Sequence, residues 1–336
     1  MNAAAELVAD GGEAAAGEEF FRCRPFLAAE GVTHTLRIAA GGVELLAPLI
    51  VREVPGGEGL DAISPYGYPG IAVTLPGGVG RPAEAGEALE ADRAGQGAPG
   101  LPPAIDPGEI DFSATGLVSA FIRHTLADPP LRGASERNMV QIADPALPPK
   151  SRMSDRQQIR RNLKRGYELR AVPGPRTSGE ERAGFLAAYE QTMRRTEAAE
   201  RYFFAAAYFD LVLAAEGTWL VSALAPDGEL AAASIAARSD GFLHYYLSGS
   251  ADSHLRDSPM KNVVASLCEL AAAEGLPLNL GGGISPGDPL EEFKRGFANR
   301  EQAWRTSEIV CDPDAYQRLS AGRAAGGFFP AYRRAP

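Results

Sequence analysis

Cysteine and histidine are scarce in this 336-residue chain, and each scarcity removes a class of chemistry. Cys23, Cys268 and Cys311 are scattered and odd in number, which fits reduced thiols and argues against a disulfide framework or a cysteine-based zinc site. His34, His124, His244 and His254 show no metal-ligand spacing, so no metal is expected in the mechanism. No apolar run reaches the roughly eighteen residues of a membrane-spanning helix. Neither a G-x-x-x-x-G-K-[ST] phosphate loop nor a G-x-G-x-x-G opening a helix after a strand is present, so nucleotide hydrolysis and dinucleotide redox chemistry lack support. Basic residues are also in deficit. With 33 Lys and Arg against 43 Asp and Glu the net charge is −10, and a nucleic-acid partner would need a local basic surface.

The 45% hydrophobic content is enough for substantial cores, and the length predicts two domains of ordinary size. Residues 1–18 are rich in Ala, Gly and Glu, with neither a basic start nor an apolar segment. They are expected as a disordered tail and not a signal peptide, in a cytoplasmic protein.

The stretch from Phe242 to Phe297 is the most orderly. F-L-H-Y-Y-L-S-G-S suits a buried strand, and the helix after it places Val263, Leu267 and Leu270 on one face, with Asp257 or Ser258 as its cap and Gly275 as its stop. L-P-L-N-L-G-G-G is a second strand and D-P-L-E-E-F-K-R-G-F a charged helix. This βαβ unit makes its two strands parallel, so the loops Ser248–Pro259 and Gly281–Pro289 open on one sheet edge, where a small-molecule site belongs.

Ahead of it, Phe20–Val73 reads as a strand meander, with Tyr66 and Tyr68 held on a stiff Pro and Gly turn as packing residues or substrate contacts. Residues 77–103 read as a mobile loop insertion, Thr115–Leu126 as a helix and Met139–Ala143 as a short strand, with a domain of residues 19–150. Lys150–Arg170 is basic. On a helix Arg156, Arg160 and Lys164 share a face, with Arg161 and Arg165 adding to the run, while Ile159 and Leu163 turn inward. That stripe is either a solvated face or a phosphate-backbone contact. Helices over Ser178–Arg195 and Ala205–Glu216, then strands over Thr218–Ala225, Glu229–Arg238 and Phe242–Ser248, lead into the βαβ unit. Gln302–Val310 closes the sheet of a domain of residues 151–312, and residues 313–336 form a short helix and tail.

Gly283-Ile284-Ser285-Pro286-Gly287 matches the G-x-S-x-G nucleophile elbow but cannot act as one, because Pro286 lacks the N–H that an oxyanion hole needs there and no histidine follows His254. The element order is instead that of an acyl-CoA N-acyltransferase (GNAT) fold. The usual glycine-rich pyrophosphate loop ahead of the central helix is replaced by D-S-H-L-R-D-S-P at Asp252–Pro259, which has no glycine and two aspartates.

On these residues the chain resembles the Fem-type (FemA, FemB, FemX) aminoacyl-tRNA-dependent peptidyltransferases. The resemblance is carried by H-Y-Y-L-S-G-S at His244–Ser250, Ser258-Pro259, L-N-L-G-G-G at Leu278–Gly283 and F-K-R-G-F at Phe293–Phe297. P-Y-G-Y-P-G at Pro65–Gly70, F-I-R-H at Phe121–His124 and R-R-N-L-K-R-G-Y at Arg160–Tyr167 add to it, over roughly residues 20–312. Thr125 stands where a proline often follows F-x-R-x-H, and the long helical arm of FemA-like members is absent. The resemblance implies an α/β protein of two tandem GNAT-like domains that forms an amide bond between the amino acid on a tRNA and the amine of a small natural-product peptide or cell-wall precursor (muropeptide). It implies no cofactor beyond that co-substrate, no metal and a monomer. It also implies that Lys294 meets the developing oxyanion or the terminal adenosine phosphate, with Phe293 shaping the pocket. Lys294 pairing with Glu291 or Glu292 is the structural alternative. Arg195 (or Arg194 in its place), Tyr202 and Tyr246 would bind the acceptor, joined by Tyr66 and Tyr68, and Arg156, Arg160, Arg161, Lys164 and Arg165 would meet the tRNA. An ordinary acyl-CoA N-acyltransferase and a non-catalytic peptide-binding protein are the competing readings.

Overall fold

The computed structural model describes residues 3–56, 59–74, 104–323 and 327–334. The expected insertion at 77–103 lies outside the described residues. The chain divides into two compact units, residues 1–137 with 304–336, and residues 138–303. These limits differ from the expected boundaries at 150 and 312, because each falls inside a strand and not in a linker.

In the first unit, β1 (Ala3–Val8) pairs antiparallel with β2 (His34–Ala40), which pairs with β3 (Val43–Glu53). The tail reading of residues 1–18 is thereby corrected. Alternation in A-A-A-E-L-V buries Ala3 and Ala5 in the core, and small side chains suffice where a strand packs closely. Residues 20–29 form a 3-10 turn and helix α1 (Arg24–Ala29) in place of the expected strand, burying Phe20, Phe21 and Phe26 against one another. After β4 (Leu60–Ile63), β5 (Ala72–Thr74) and β6 (Ile110–Asp111) comes β7 (Leu117–Arg123), where a helix was expected. Its run of Leu117, Val118, Phe121 and Ile122 fits either element by itself. Pairing parallel to β4 and burial among Leu36, Leu49 and Ile309 decide for the strand.

The second unit begins within β8 (Ser135–Ala143), and α2 (Met153–Lys164) and β9 (Glu168–Pro173) follow. Then α3 (Gly179–Arg195), closed at its start by a Ser178/Glu181 capping box, and α4 (Ala206–Ala214) precede three antiparallel strands, β10 (Thr218–Leu224), β11 (Leu230–Ser239) and β12 (Phe242–Ser250). Helix α5 (Met260–Ala273) crosses to β13 (Leu278–Gly281), which is parallel to β12 as the βαβ reading requires. Val263, Val264 and Leu267 of α5 pack on Val221, Ala236 and Leu243 of the sheet. Helix α6 (Pro289–Arg295) and β14 (Arg300–Val310) follow, and the end of β14 and α7 (Pro313–Ser320) belong to the first unit. The expected cap of α5 is corrected: Pro259 holds the cap position without a side-chain bond, and Ser258 before it takes φ 48°.

Candidate active site

Among the described residues strands β12 and β13 pair only at Leu243–Leu278 and His244–Asn279, so β12 runs on from Tyr245 to Ser250 with no strand partner among them on that side. A cavity of about 250 Å³ lies along this stretch, lined by Tyr245, Ser248, Gly249 and Ser250 of β12, Thr192 of α3, Met260 of α5, and Leu290 and Phe293 of α6. Two local features shape it. The register between β11 and β12 shifts where Ile235 pairs with Leu247 and Ala236 with Tyr245, leaving Tyr246 as an extra residue. In a regular strand residues three apart face opposite ways; the bulge resets the alternation, and the Tyr245 hydroxyl reaches Ser248 Oγ at 2.6 Å. Gly249 lets α3 approach, since a Cβ there would stand 2.4 Å from the Tyr189 backbone nitrogen.

Lys294 sits beside the cavity on the last turn of α6 and is 7% exposed. Its Nζ donates to the Gly282 carbonyl at 2.6 Å and lies 5.8 Å from the centre of the Tyr245 ring. The alternative of an ion pair with Glu291 or Glu292 is not what forms. Glu291 is held by Arg295, and Glu292 by Arg152 and Arg295, while Lys294 has no ion-pair partner among the described residues. Burial therefore lowers its pKa to about 8, with Asp288 opposing the shift. Asp288 also builds the neighbouring loop: its carboxylate accepts from Ile284 N (2.6 Å), Ser285 N (3.0 Å) and Glu291 N (2.7 Å), which holds that carboxyl below its usual range. This is the structural use of the G-x-S-x-G segment.

On the other side of the cavity, Arg195 donates to Thr192 Oγ1 at 3.1 Å and pairs with Asp252. Arg194 is turned to Glu190 instead, so of the two arginines Arg195 is the one beside the cavity wall. The Tyr202 carbonyl accepts from Tyr189 Oη at 2.8 Å, and the Tyr246 hydroxyl meets that of Tyr208 at 2.5 Å. Neither Tyr202 nor Tyr246 lines the cavity. Tyr66 and Tyr68 belong to the first unit, where Tyr68 packs edge-on against Phe21 and Trp304 and Tyr66 is exposed. Thr192, Tyr245, Ser248, Met260 and Leu290 were missed as site residues. Only the Tyr246 bulge makes Tyr245 and Ser248 neighbours, and nothing in the residue types announces a bulge.

Helix α2 carries the basic run. Arg160, Arg161, Lys164, Arg165 and Gln157 line a second, open depression of about 370 Å³. Arg156 is exposed and bonds the Ser151 carbonyl at 2.5 Å, Arg161 bonds Gln158, and Arg165 pairs with Asp257. Among the described residues Arg160 and Lys164 have no ion pair. The expected inward position of Leu163 is corrected, for it is 47% exposed. The helix docks by polar groups: Asn162 Nδ2 donates to Asn262 Oδ1 (2.7 Å) and the Asp257 carbonyl (2.8 Å), and Asp155 pairs with Lys261 at 2.8 Å.

Amides just ahead of α5 and in its first turn are taken up by local carbonyls. Ser258 N donates to the Leu255 carbonyl (3.0 Å), Lys261 N to that of Ser258 (3.1 Å) and Asn262 N to that of Pro259 (2.9 Å). Among the described residues one group, Asp227, Glu229 and His254, brings possible metal-ligand atoms within 4.8 Å of one another, and its two carboxylates are exposed, as acidic surface groups commonly are. Among the described residues no helix is long and apolar enough to cross a membrane.

The parallel strand pair that opens into a cavity, with its crossover helix, gives the second unit an acyltransferase fold of the GNAT type. Residues 151–295 match the family model described as an acetyltransferase (GNAT) domain. The chain is similar in fold to FemX, at 14% identity with 84% of this chain and 90% of that one covered and a TM-score of 0.54. It is also similar to the C-terminal domain of a protein from Agrobacterium fabrum described as a putative lysylphosphatidylglycerol synthetase (11% identity, 91% and 92% covered, TM-score 0.50). A third similar structure is a conserved protein of unknown function from Bacteroides thetaiotaomicron (10% identity, 87% and 90% covered, TM-score 0.51). No curated protein matches the chain. At these identities the likeness concerns the fold: a mixed α/β protein with two GNAT-like units in tandem, of the FemX-like kind.

Proposed function

We propose that this protein is an aminoacyl-tRNA-dependent aminoacyltransferase that forms an amide bond on the amine of a small peptide, either a natural-product precursor or a cell-wall precursor. The observation that carries this reading is the buried Lys294 ammonium beside the cavity, without a carboxylate partner among the described residues. A charge kept in such surroundings is costly, and an anionic group arriving there would compensate it. The ester of an aminoacyl-tRNA is already activated, so the reaction requires neither ATP nor metal, and the protein's task is positioning and stabilisation of negative charge. Lys294 takes the oxyanion or the terminal adenosine phosphate, Phe293 shapes the pocket, and Arg195 beside the cavity wall holds the acceptor, with Tyr202 and Tyr246 as contacts only for an acceptor that extends beyond the cavity lining. The stripe on α2 binds the tRNA backbone, with salt-dependent affinity.

The second reading is an acyl-CoA N-acyltransferase, favoured by the acetyltransferase family match. It has against it the locally bonded amides at the start of α5 and the Asp257 carboxylate ahead of it, where a pyrophosphate would need donors. Binding of the purified protein to mixed charged tRNA and to acetyl-CoA, each at two salt concentrations, separates the two. Salt-dependent tRNA binding without coenzyme A binding supports aminoacyl transfer. Coenzyme A binding alone assigns the protein to the ordinary acyltransferases.

A further inference from the structure

The cavity contains a hydroxyl whose oxygen is fixed by a donor and whose hydrogen is unspent. Ser248 Oγ accepts from the Tyr245 hydroxyl at 2.6 Å, and among the described residues its own hydrogen meets no acceptor. The geometry of that bond has Tyr245 as the donor, and burial pushes the phenol up to about 12, so it keeps the proton it donates. The other hydroxyls differ. Thr192 Oγ1 donates to the Ala188 carbonyl (3.0 Å) and accepts from Ser250 N (2.9 Å), so it is fully used. No donor among the described residues is fixed on the oxygen of the Ser250 hydroxyl. Among the described residues no charged side chain lines the cavity, and Met260, Leu290 and Phe293 supply apolar walls. A single aimed donor in apolar surroundings suits one polar atom of an otherwise uncharged group. The position fits as well, for the Tyr245 ring links the cavity to Lys294, and Thr192 links it to Arg195. The bond that forms must lie between those two ends.

We propose that Ser248 Oγ–H donates to the carbonyl oxygen of the acyl group being transferred, with Tyr245 as the positioning residue that aims it. The inference rests on the acyl-transfer reading and holds for an ester or a thioester donor. In the step, the acceptor nitrogen's lone pair forms the C–N bond. The C–O or C–S bond breaks with its electron pair on the departing oxygen or sulfur, and the proton lost by the amine goes to that leaving group. Ser248 keeps its own proton throughout, and its hydrogen bond shortens as the carbonyl oxygen gains charge.

The test uses the full chain and whichever donor the wild type consumes, charged tRNA or acetyl-CoA. Ser248→Ala is expected to lower kcat about 100-fold with little change in the donor KM, the usual effect of removing one such donor. Ser248→Thr, which keeps the hydroxyl, restores most of the rate. Tyr245→Phe leaves the serine free to rotate and gives an intermediate loss, and thermal melting checks that each variant is folded. Unchanged turnover in Ser248→Ala, a loss confined to KM, or a folded Ser248→Thr no faster than the alanine variant would overturn the proposal. If the wild type consumes neither donor, the acyl-transfer reading itself fails and this assignment falls with it, a result separate from any variant's rate.

Discussion

Lys294 holds an ammonium where water hardly reaches, with the Gly282 carbonyl as its hydrogen-bond partner and, among the described residues, no carboxylate in an ion pair with it, Asp288 acting only at a distance. Its pKa, lowered from 10.5 to about 8, has a defined sign in stability. Between these values the unfolded chain binds more protons than the folded one, so stability rises with pH across that window and the penalty is fully present below it. Lys294→Met removes the buried charge while keeping an apolar side chain of similar length. It is expected to abolish transfer and raise unfolding stability at pH 7 by about 1–3 kcal/mol, a gain that closes as pH approaches 10. Urea unfolding at pH 7 and pH 10 measures both. A variant that is less stable at pH 7 would mean that the Gly282 bond outweighs the charge. If transfer needs the ammonium, wild-type kcat also falls as pH passes about 8.

Helix α2 shows how two faces of one element do different work. Its inner face docks through Asn162, which serves Asn262 and the Asp257 carbonyl at once. Asn162→Ala leaves the buried Asn262 Oδ1 unserved, while the Asp257 carbonyl keeps its bond from Gln158 Nε2 at 3.0 Å, and an unfolding stability loss of about 1–3 kcal/mol is expected in denaturant titration. The outer face carries Arg160 and Lys164, and reversing both to Glu should weaken tRNA binding and flatten its salt dependence. Affinity unchanged at both salt concentrations would mark the stripe as a solvated face. The stripe was legible from i, i+4 spacing, because charge on a helix surface depends on little else. The inner face was legible only at Ile159, which packs on the core of the second unit. Periodicity looks for apolar residues and picked Leu163, while the helix buries Asp155 and Asn162, whose partners Lys261 and Asn262 lie far along the chain on α5. The same limit hid β7, where a short apolar run is settled only by the strands beside it.

Across the whole chain, the order of elements in the second unit was readable because glycine and proline punctuate it, and the βαβ core of β12, α5 and β13 follows that reading. Lys294 could be picked from F-K-R-G-F, but the cavity beside it depends on a bulge and on an unpaired strand edge, which are properties of the folded sheet. The two buried histidines were likewise visible only as residues without metal spacing, and they give each unit an acid limit. His124 in the first unit and His244 in the second are both lowered from 6.5 to about 4 by burial. Asn279 Nδ2 lies 3.1 Å from His244 Nδ1 and the Ser239 carbonyl 3.1 Å from Nε2, which suits a neutral ring protonated at Nε2. A folded-state value below the ordinary one means that the unfolded chain binds more protons between pH 6.5 and 4. The neutral rings therefore cost nothing at pH 7, and each unit loses stability as pH falls through that window, by up to about 3 kcal/mol per histidine. Thermal melting from pH 7 to pH 4 should show a declining midpoint. His244→Gln keeps an amide donor and acceptor without a titrating ring. It is expected to lower the midpoint at pH 7 yet make the second unit's melting less dependent on pH between 6.5 and 4, and an equal decline in wild type and variant would remove His244 as a source of the acid limit.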